Sequence, residues 1–262
     1  MLAFKLILTP LFVGLASMAG RRWGSRVSGW LVGLPLTSAP ITLFLALEQG
    51  TTFASRVAQG TLMGLISQAL FCVTYAWLSF GVDALGCWLV SWGVFFVATF
   101  VFEQISVTFP LAFVSVVSVL FVALLLWPKQ HGQFIEAKAP TWEIVGRMVI
   151  ATGFVLGLTG AASAIGPRLS GLLAPLPIFA TVFAVFTHQF QGATAARQVL
   201  HGVVVSSFAC AVFFLVVTAL LWRWGIVATF SGAVLAALVM QGCALWLVRR
   251  YKTTPAQQKT IV

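Results

Sequence analysis

Charge is the scarcest feature of this chain. Charged residues make up 8% of its 262 positions, and only five of them are acidic. A soluble globular domain carries about a quarter charged residues, so this chain cannot cover a water-facing surface. Soluble enzymes, nucleic-acid-binding proteins and disordered chains are therefore set aside. Aspartate occurs once, at Asp83. Paired aspartates, HExxH, GxSxG and a phosphate-binding loop are all missing, which argues against an intramembrane enzyme. The four cysteines (Cys72, Cys87, Cys210, Cys243) lie far apart in apolar runs with no CxxC or Cys/His spacing. They read as free thiols; no disulfide, metal site or cofactor is expected.

What is present is hydrophobic: 60% of the residues. A hydrocarbon core needs about 20 apolar residues at 1.5 Å rise each. The charge-free intervals give nine candidate helices, at 2–20, 28–47, 58–80, 84–102, 107–127, 143–164, 169–189, 198–222 and 226–248. Neither amphipathic period nor strand alternation is evident, so the expected fold is an all-α polytopic membrane protein rather than a barrel. The run 84–127 is too long for one crossing and is expected to turn at Glu103-Gln104-Ile105-Ser106. The N-terminal stretch has a small-x-small site at Ser17-Met18-Ala19, but Arg21 and Arg22 follow it directly. It is read as a span rather than a cleaved signal.

The net charge of +10 comes from 15 Lys+Arg against 5 Asp+Glu. These cations sit between apolar runs, where they set topology and meet anionic headgroups, so membrane lipid rather than nucleic acid is the expected partner. With the N-terminus outside, Arg21, Arg22, Arg26, Lys129, Lys138, Arg147, Arg197, Arg249, Arg250, Lys252 and Lys259 fall inside, against Lys5, Arg56, Arg168 and Arg223 outside. This predicts an N-out, C-in protein. Compactness and short loops suit a bacterial inner (cytoplasmic) membrane. Tryptophans such as Trp23, Trp77, Trp127, Trp142 and Trp222 fall near span ends, as an interfacial belt requires.

Shifting the chain by 142 residues aligns Gly24-Ser25-Arg26-Val27-Ser28-Gly29 with Gly166-Pro167-Arg168-Leu169-Ser170-Gly171, Leu34-Pro35 with Leu176-Pro177, and Gln49-Gly50 with Gln191-Gly192. From 24 to 72 there are 16 identities in 49 ungapped positions; composition alone gives roughly a tenth. The expected organisation is a four-helix repeat over 1–104, a linker helix and cytoplasmic loop over 105–141, a second four-helix repeat over 142–250, and a tail over 251–262. Four spans plus one linker is odd, so the second repeat enters from the opposite side: an inverted repeat.

This architecture resembles inverted-repeat secondary transporters, the broad group holding bile-acid, auxin and cation/proton antiporter folds. The resemblance covers nearly the whole chain and lies in architecture, not in a diagnostic motif. Leu34-Pro35 followed by Ser38 and Pro40-Ile41 is also similar to the LP box of urea transporters, which has Thr and Phe where Ser38 and Ile41 stand. The second copy, Leu176-Pro177 to Val182-Phe183, lacks the later proline.

Candidate chemistry follows from the breaks. Proline removes an amide and clashes with the carbonyl four residues back, and lipid cannot satisfy freed carbonyls. Pro35 and Pro40 in span 2, and Pro175 and Pro177 in span 7, therefore mark broken helices. Broken helices at matching positions form midplane sites in many transporters. The expected substrate site comprises Pro35, Thr37, Ser38, Pro40, Gln49, Pro175, Pro177, Thr181 and Gln191. Glu48, Glu103 and His188 are the expected proton carriers near the membrane. Arg26 and Arg168 open the two broken helices and are expected to hold lipid phosphate or an anionic group. Interhelical bonding or packing is expected of Gln68, Gln241, His201 and Tyr75, and of the small pairs Gly29/Gly33, Gly60/Gly64 and Gly153/Gly157.

The function expected is movement of a small neutral, anionic or amphipathic solute by alternating access. Scarce buried acids argue against a multivalent cation. A passive channel for small neutral solutes and an accessory membrane subunit are the alternatives; homo-oligomerisation stays open.

Overall fold

A computed structural model describes residues 2–32, 35, 38–105, 107–128, 142–162 and 176–251. Among these residues every regular element is helical: α1 (Leu2–Trp23), α2 (Ser25–Val32), α3 (Ser38–Gln49), α4 (Thr51–Leu78), α5 (Ala84–Gln104), α6 (Phe109–Leu125), α7 (Trp142–Ala162), α8 (Ile178–Gln191) and α9 (Ala193–Tyr251). Apolar segments without polar periodicity close their backbone hydrogen bonds within each helix, and this chain follows that rule. Among the described residues three helices are long and apolar enough to cross a membrane: Thr51–Leu78, Ala84–Gln104 and Ala193–Cys243.

Span 2 is interrupted as expected: α2 stops at Val32 and α3 starts at Ser38. The role given to Pro40 needs correction. It lies in the first turn of α3, where an amide has no intrahelical partner, so it opens a helix rather than breaking one. Pro177 likewise precedes its helix, as the N-cap of α8. The hairpin after α5 turns slightly later than expected. Glu103 and Gln104 still belong to α5, Ile105 caps it, and Thr108 caps α6. Gln59 Nε2 ties this connection to α4 by donating to the Val107 carbonyl at 2.9 Å.

The helices α4 and α9 also begin earlier than the charge-free runs suggest, immediately after Gly50 and Gly192. Arg56 and Arg197 therefore sit on helices and not in loops. Arg147, counted above with the loop cations, stands one turn inside α7. Charge limits an apolar run, but a helix continues wherever its side chains find a partner or reach the interface. Gly50 has φ 87° and ψ 166°, and Gly192 has φ 86° and ψ 169°. Only glycine adopts this region at no cost. The two residues are 142 positions apart, and each joins a short helix to a long one at a sharp corner.

The long helices run antiparallel. Near the start of α4, Ser55 Oγ donates to the Thr218 carbonyl of α9 at 3.1 Å. Past its end, Ser79 Oγ accepts from Arg197 Nη1 at 3.0 Å. The pair α1 and α7 is also antiparallel: Met148 touches the site of Gly14, while Glu143 lies against Arg21. Beyond Gly225 (φ 71°) α9 folds back on itself, so that the Phe213 and Phe230 rings meet at 6.0 Å. Its two arms then return to α2, where Gly29 abuts Val199 and the Trp30 carbonyl accepts from Gln241 Nε2 at 3.3 Å. Gln241 thus makes the interhelical bond expected of it.

Phe71, Tyr75, Phe213, Phe214, Leu62 and Leu221 fill the centre between α4 and α9. The linker helix α6 packs against both of them. Large apolar side chains also point outward: Leu89, Phe96 and Phe100 on α5, Val114 and Phe121 on α6, and Val227, Leu235 and Val239 on the second arm of α9.

Candidate functional site

The two broken-helix starts are each gripped by a different neighbour. Ser38 is buried at the head of α3; its carbonyl accepts from Thr42 Oγ1 at 2.8 Å, and its side chain lies beside the Cys210 thiol of α9. Thr181 is buried in the first turn of α8, where its amide donates to the Pro177 carbonyl at 2.7 Å and its hydroxyl accepts from Trp92 Nε1 of α5 at 2.9 Å. Half-buried Pro35 lies in the bend between α2 and α3. Thr37, Pro175 and Arg168 lie outside the described residues. Arg26 and Pro40 are placed on α2 and α3, and Glu48 on the last turn of α3, by their backbones alone. The indole–hydroxyl bond is a neutral contact, so Trp92→Phe is expected to cost about 1 kcal/mol. Thermal unfolding of the purified variant checks this; a cost indistinguishable from zero would show that Trp92 does not hold α8 in register.

Gln49 and Gln191 are not brought together. Gln49 ends α3 beside the start of α4, and Gln191 ends α8 beside the start of α9. Because α4 and the first arm of α9 are antiparallel, the two glutamines stand at opposite ends of the bundle. The exposure differs too: Gln49 is exposed and Gln191 half-buried.

The richest polar cluster was not among the expected sites. At the end shared by α1, α7 and α8, Glu143 is 2% exposed and Arg147 5% exposed. Arg147 Nη2 donates to Glu143 Oε1 and, at 3.1 Å, to Thr187 Oγ1. Its guanidinium lies 4.7 Å from the Phe183 ring centre and 5.7 Å from that of Phe186. Arg21 approaches Glu143 Oε2 at 3.7 Å. Around them is a cavity of about 20 Å³, lined by Ser17, Gly20, Arg21, Glu143, Ile144, Arg147, Thr187, Gln191 and Val199. A cavity of this size holds one water or a guest atom group of similar bulk. Glu143 is a deeply buried acid that the expected site residues did not include. The signal was in the sequence as a Glu-to-Arg pair at four-residue spacing, which lies on one helix face.

His188 follows Thr187 and turns the other way. Its Nδ1 lies 3.2 Å from the Tyr75 hydroxyl, with the rings edge-on at 5.9 Å. Nearby, Arg197 is 3% exposed, bonds Ser79 and Thr194, and stacks 4.3 Å over Phe80. Glu103 sits half-buried in the last turn of α5. His201 meets Trp127 edge-on at 5.4 Å. Among the described residues no group of three or more His, Cys, Asp or Glu is arranged to hold a metal ion.

No protein-family model, curated protein or solved structure matches this chain.

Proposed function

We propose that the chain is an integral membrane transporter built from two inverted repeats, moving a small neutral, anionic or amphipathic solute by alternating access. The observation that carries this reading is the antiparallel packing of helices that the 142-residue offset relates: α1 with α7, and α4 with the first arm of α9. Two copies of one unit that lie antiparallel are related by an axis across the bundle, the arrangement on which repeat-against-repeat rocking depends. The contacts obey that axis. Ser55 with Thr218 maps under the offset onto Ala76 with Arg197, one turn from the observed Ser79–Arg197 bond. The matched corners at Gly50 and Gly192 and the interrupted α2–α3 segment add to it.

In this reading the outward-facing leucines and phenylalanines of α5, α6 and α9 meet lipid, and the substrate passes between the heads of α3 and α8. Ser38 and Thr181 offer the hydroxyls there.

Thiol labelling tests both parts. The background is Cys243→Ser, since Cys243 is exposed while Cys72, Cys87 and Cys210 are buried. Gln49→Cys and Gln189→Cys are expected to react with a membrane-impermeant reagent from opposite sides of sealed vesicles. Reaction from the same side sinks the inverted repeat. Ser38→Cys, buried in the state described, is expected to react slowly from one side as the protein cycles. Complete protection under all conditions leaves the breaks as packing kinks and removes the pathway.

A further inference from the structure

We propose that a polar clasp on the corner between α8 and α9 is the gate of the bundle end that holds Gly192, and that this gate is shut in the state described. The proposal rests on the transport reading and adds which end is fastened, and by what. Residues on both sides of the corner reach across to other helices. Thr187 Oγ1 accepts from Arg147 of α7 at 3.1 Å. The next residue, His188, meets the Tyr75 hydroxyl of α4 at 3.2 Å. Past the corner, Arg197 Nη1 donates to Ser79 Oγ at 3.0 Å. Ser79 donates its own proton to the Ala76 carbonyl at 2.8 Å, so its oxygen is left to accept.

The corner does not need this clasp in order to form. Gly50 makes the same turn, with φ 87° and ψ 166° against φ 86° and ψ 169° at Gly192. Yet under the 142-residue offset Thr187, His188, Tyr75 and Ser79 correspond to Leu45, Ala46, Val217 and Leu221, whose side chains have no polar atom. Arg197 corresponds to Ser55, whose hydroxyl donates to the Thr218 carbonyl at 3.1 Å. One corner thus carries a single neutral contact where the other is fastened to both α4 and α7. The clasp is also poised to open. Arg197 is 3% exposed, and among the described residues no carboxylate lies within ion-pair distance of it. The hydroxyls of Ser79 and Thr194 and the ring of Phe80 hold it instead. Neutral partners offset only part of the desolvation of a buried guanidinium. When the corner parts from α4 these bonds are lost, but Arg197 regains water, and the two changes oppose each other.

Two-sided thiol labelling of Ser38→Cys in sealed vesicles tests the gate. The full chain carries Cys210→Ala, which removes the thiol beside residue 38, and Cys243→Ser. Reaction is counted above that of the same chain with Ser38 intact, and the two sides are assigned by Gln49→Cys and Gln189→Cys. Tyr75→Phe removes one hydroxyl and keeps the ring. It is expected to speed labelling from the Gly192 end about fivefold, the worth of one neutral hydrogen bond. Ser79→Ala is expected to speed it about tenfold, because the bond lost is to a charged group. Neither is expected to speed labelling from the Gly50 end. Ser55→Ala, the control at the opposite corner, is expected to leave the rate from the Gly192 end unchanged. If Ser38→Cys is labelled but both clasp variants leave the Gly192-end rate as it was, the clasp is overturned and the transport reading stands. Equal acceleration from both ends also overturns it, since that is general loosening. Protection from both sides in every chain removes the pathway and the gate together. Tyr75→Phe decides alone if Ser79→Ala does not accumulate.

Discussion

Glu143→Ala is expected to destabilise the protein by about 3–5 kcal/mol, because it leaves Arg147 buried without its counter-charge. Arg147 is 5% exposed and packed over two phenylalanine rings, so it cannot swing out to water without emptying that space. Arg21 cannot replace the carboxylate, being a cation itself. At this chain length the loss corresponds to a fall in Tm on the order of 10 °C. The companion variant decides the cause. Glu143→Gln combined with Arg147→Met removes both charges and keeps the bulk, and well-packed neutral replacements of buried pairs are often tolerated. The double variant is expected to recover most of the stability that Glu143→Ala loses. Equal instability of the two would show that packing at the junction of α1 and α7, not charge compensation, sets the cost.

Gly29→Leu is expected to abolish accumulation of folded protein. A Cβ on Gly29 would lie 1.8 Å from the Val199 carbonyl oxygen, 2.6 Å from its carbon and 2.8 Å from its Cα. All three atoms are backbone, so no rotamer change relieves the clash, and α2 must part from α9. Even Gly29→Ala is expected to cost about 1–3 kcal/mol, the range for overpacking. Gly153 and Gly93 serve as controls, because a Cβ there meets no atom within 4 Å. Alanine at these helical positions is expected to be neutral or stabilising by up to about 1 kcal/mol. The comparison is a melting curve for each variant in one detergent. A Gly29→Ala protein as stable as wild type would mean that α2 and α9 do not approach this closely.

These two glycines show where sequence reading stops. Gly29/Gly33 and Gly153/Gly157 look alike as small pairs at four-residue spacing, and both read as packing sites. Gly29 is wedged against a neighbouring backbone, whereas Gly153 faces open space. Spacing says which residues share a helix face; it does not say what that face meets. The prolines teach the same lesson. Pro35 lies at the real break, but Pro40 and Pro177 begin helices, since a missing amide is costly only beyond the first turn.

By itself the sequence determined that the chain is helical and apolar, and roughly where each helix lies, because charge is too rare here to fall anywhere but at or near an end. It also carried a match to itself at an offset of 142 residues, in which Arg, Leu-Pro and Gln-Gly recur in register. The tertiary structure decided that α1 packs antiparallel to α7, and α4 to the first arm of α9. It also buried two cations read as topological charges (Arg147, Arg197), together with Glu143, an acid that the sequence reading did not single out. The reason is physical. Solvation of a charge depends on the helices around it, and Glu143, Thr187 and Arg21 come from segments far apart in the chain that only the packing of α1, α7 and α8 brings within reach.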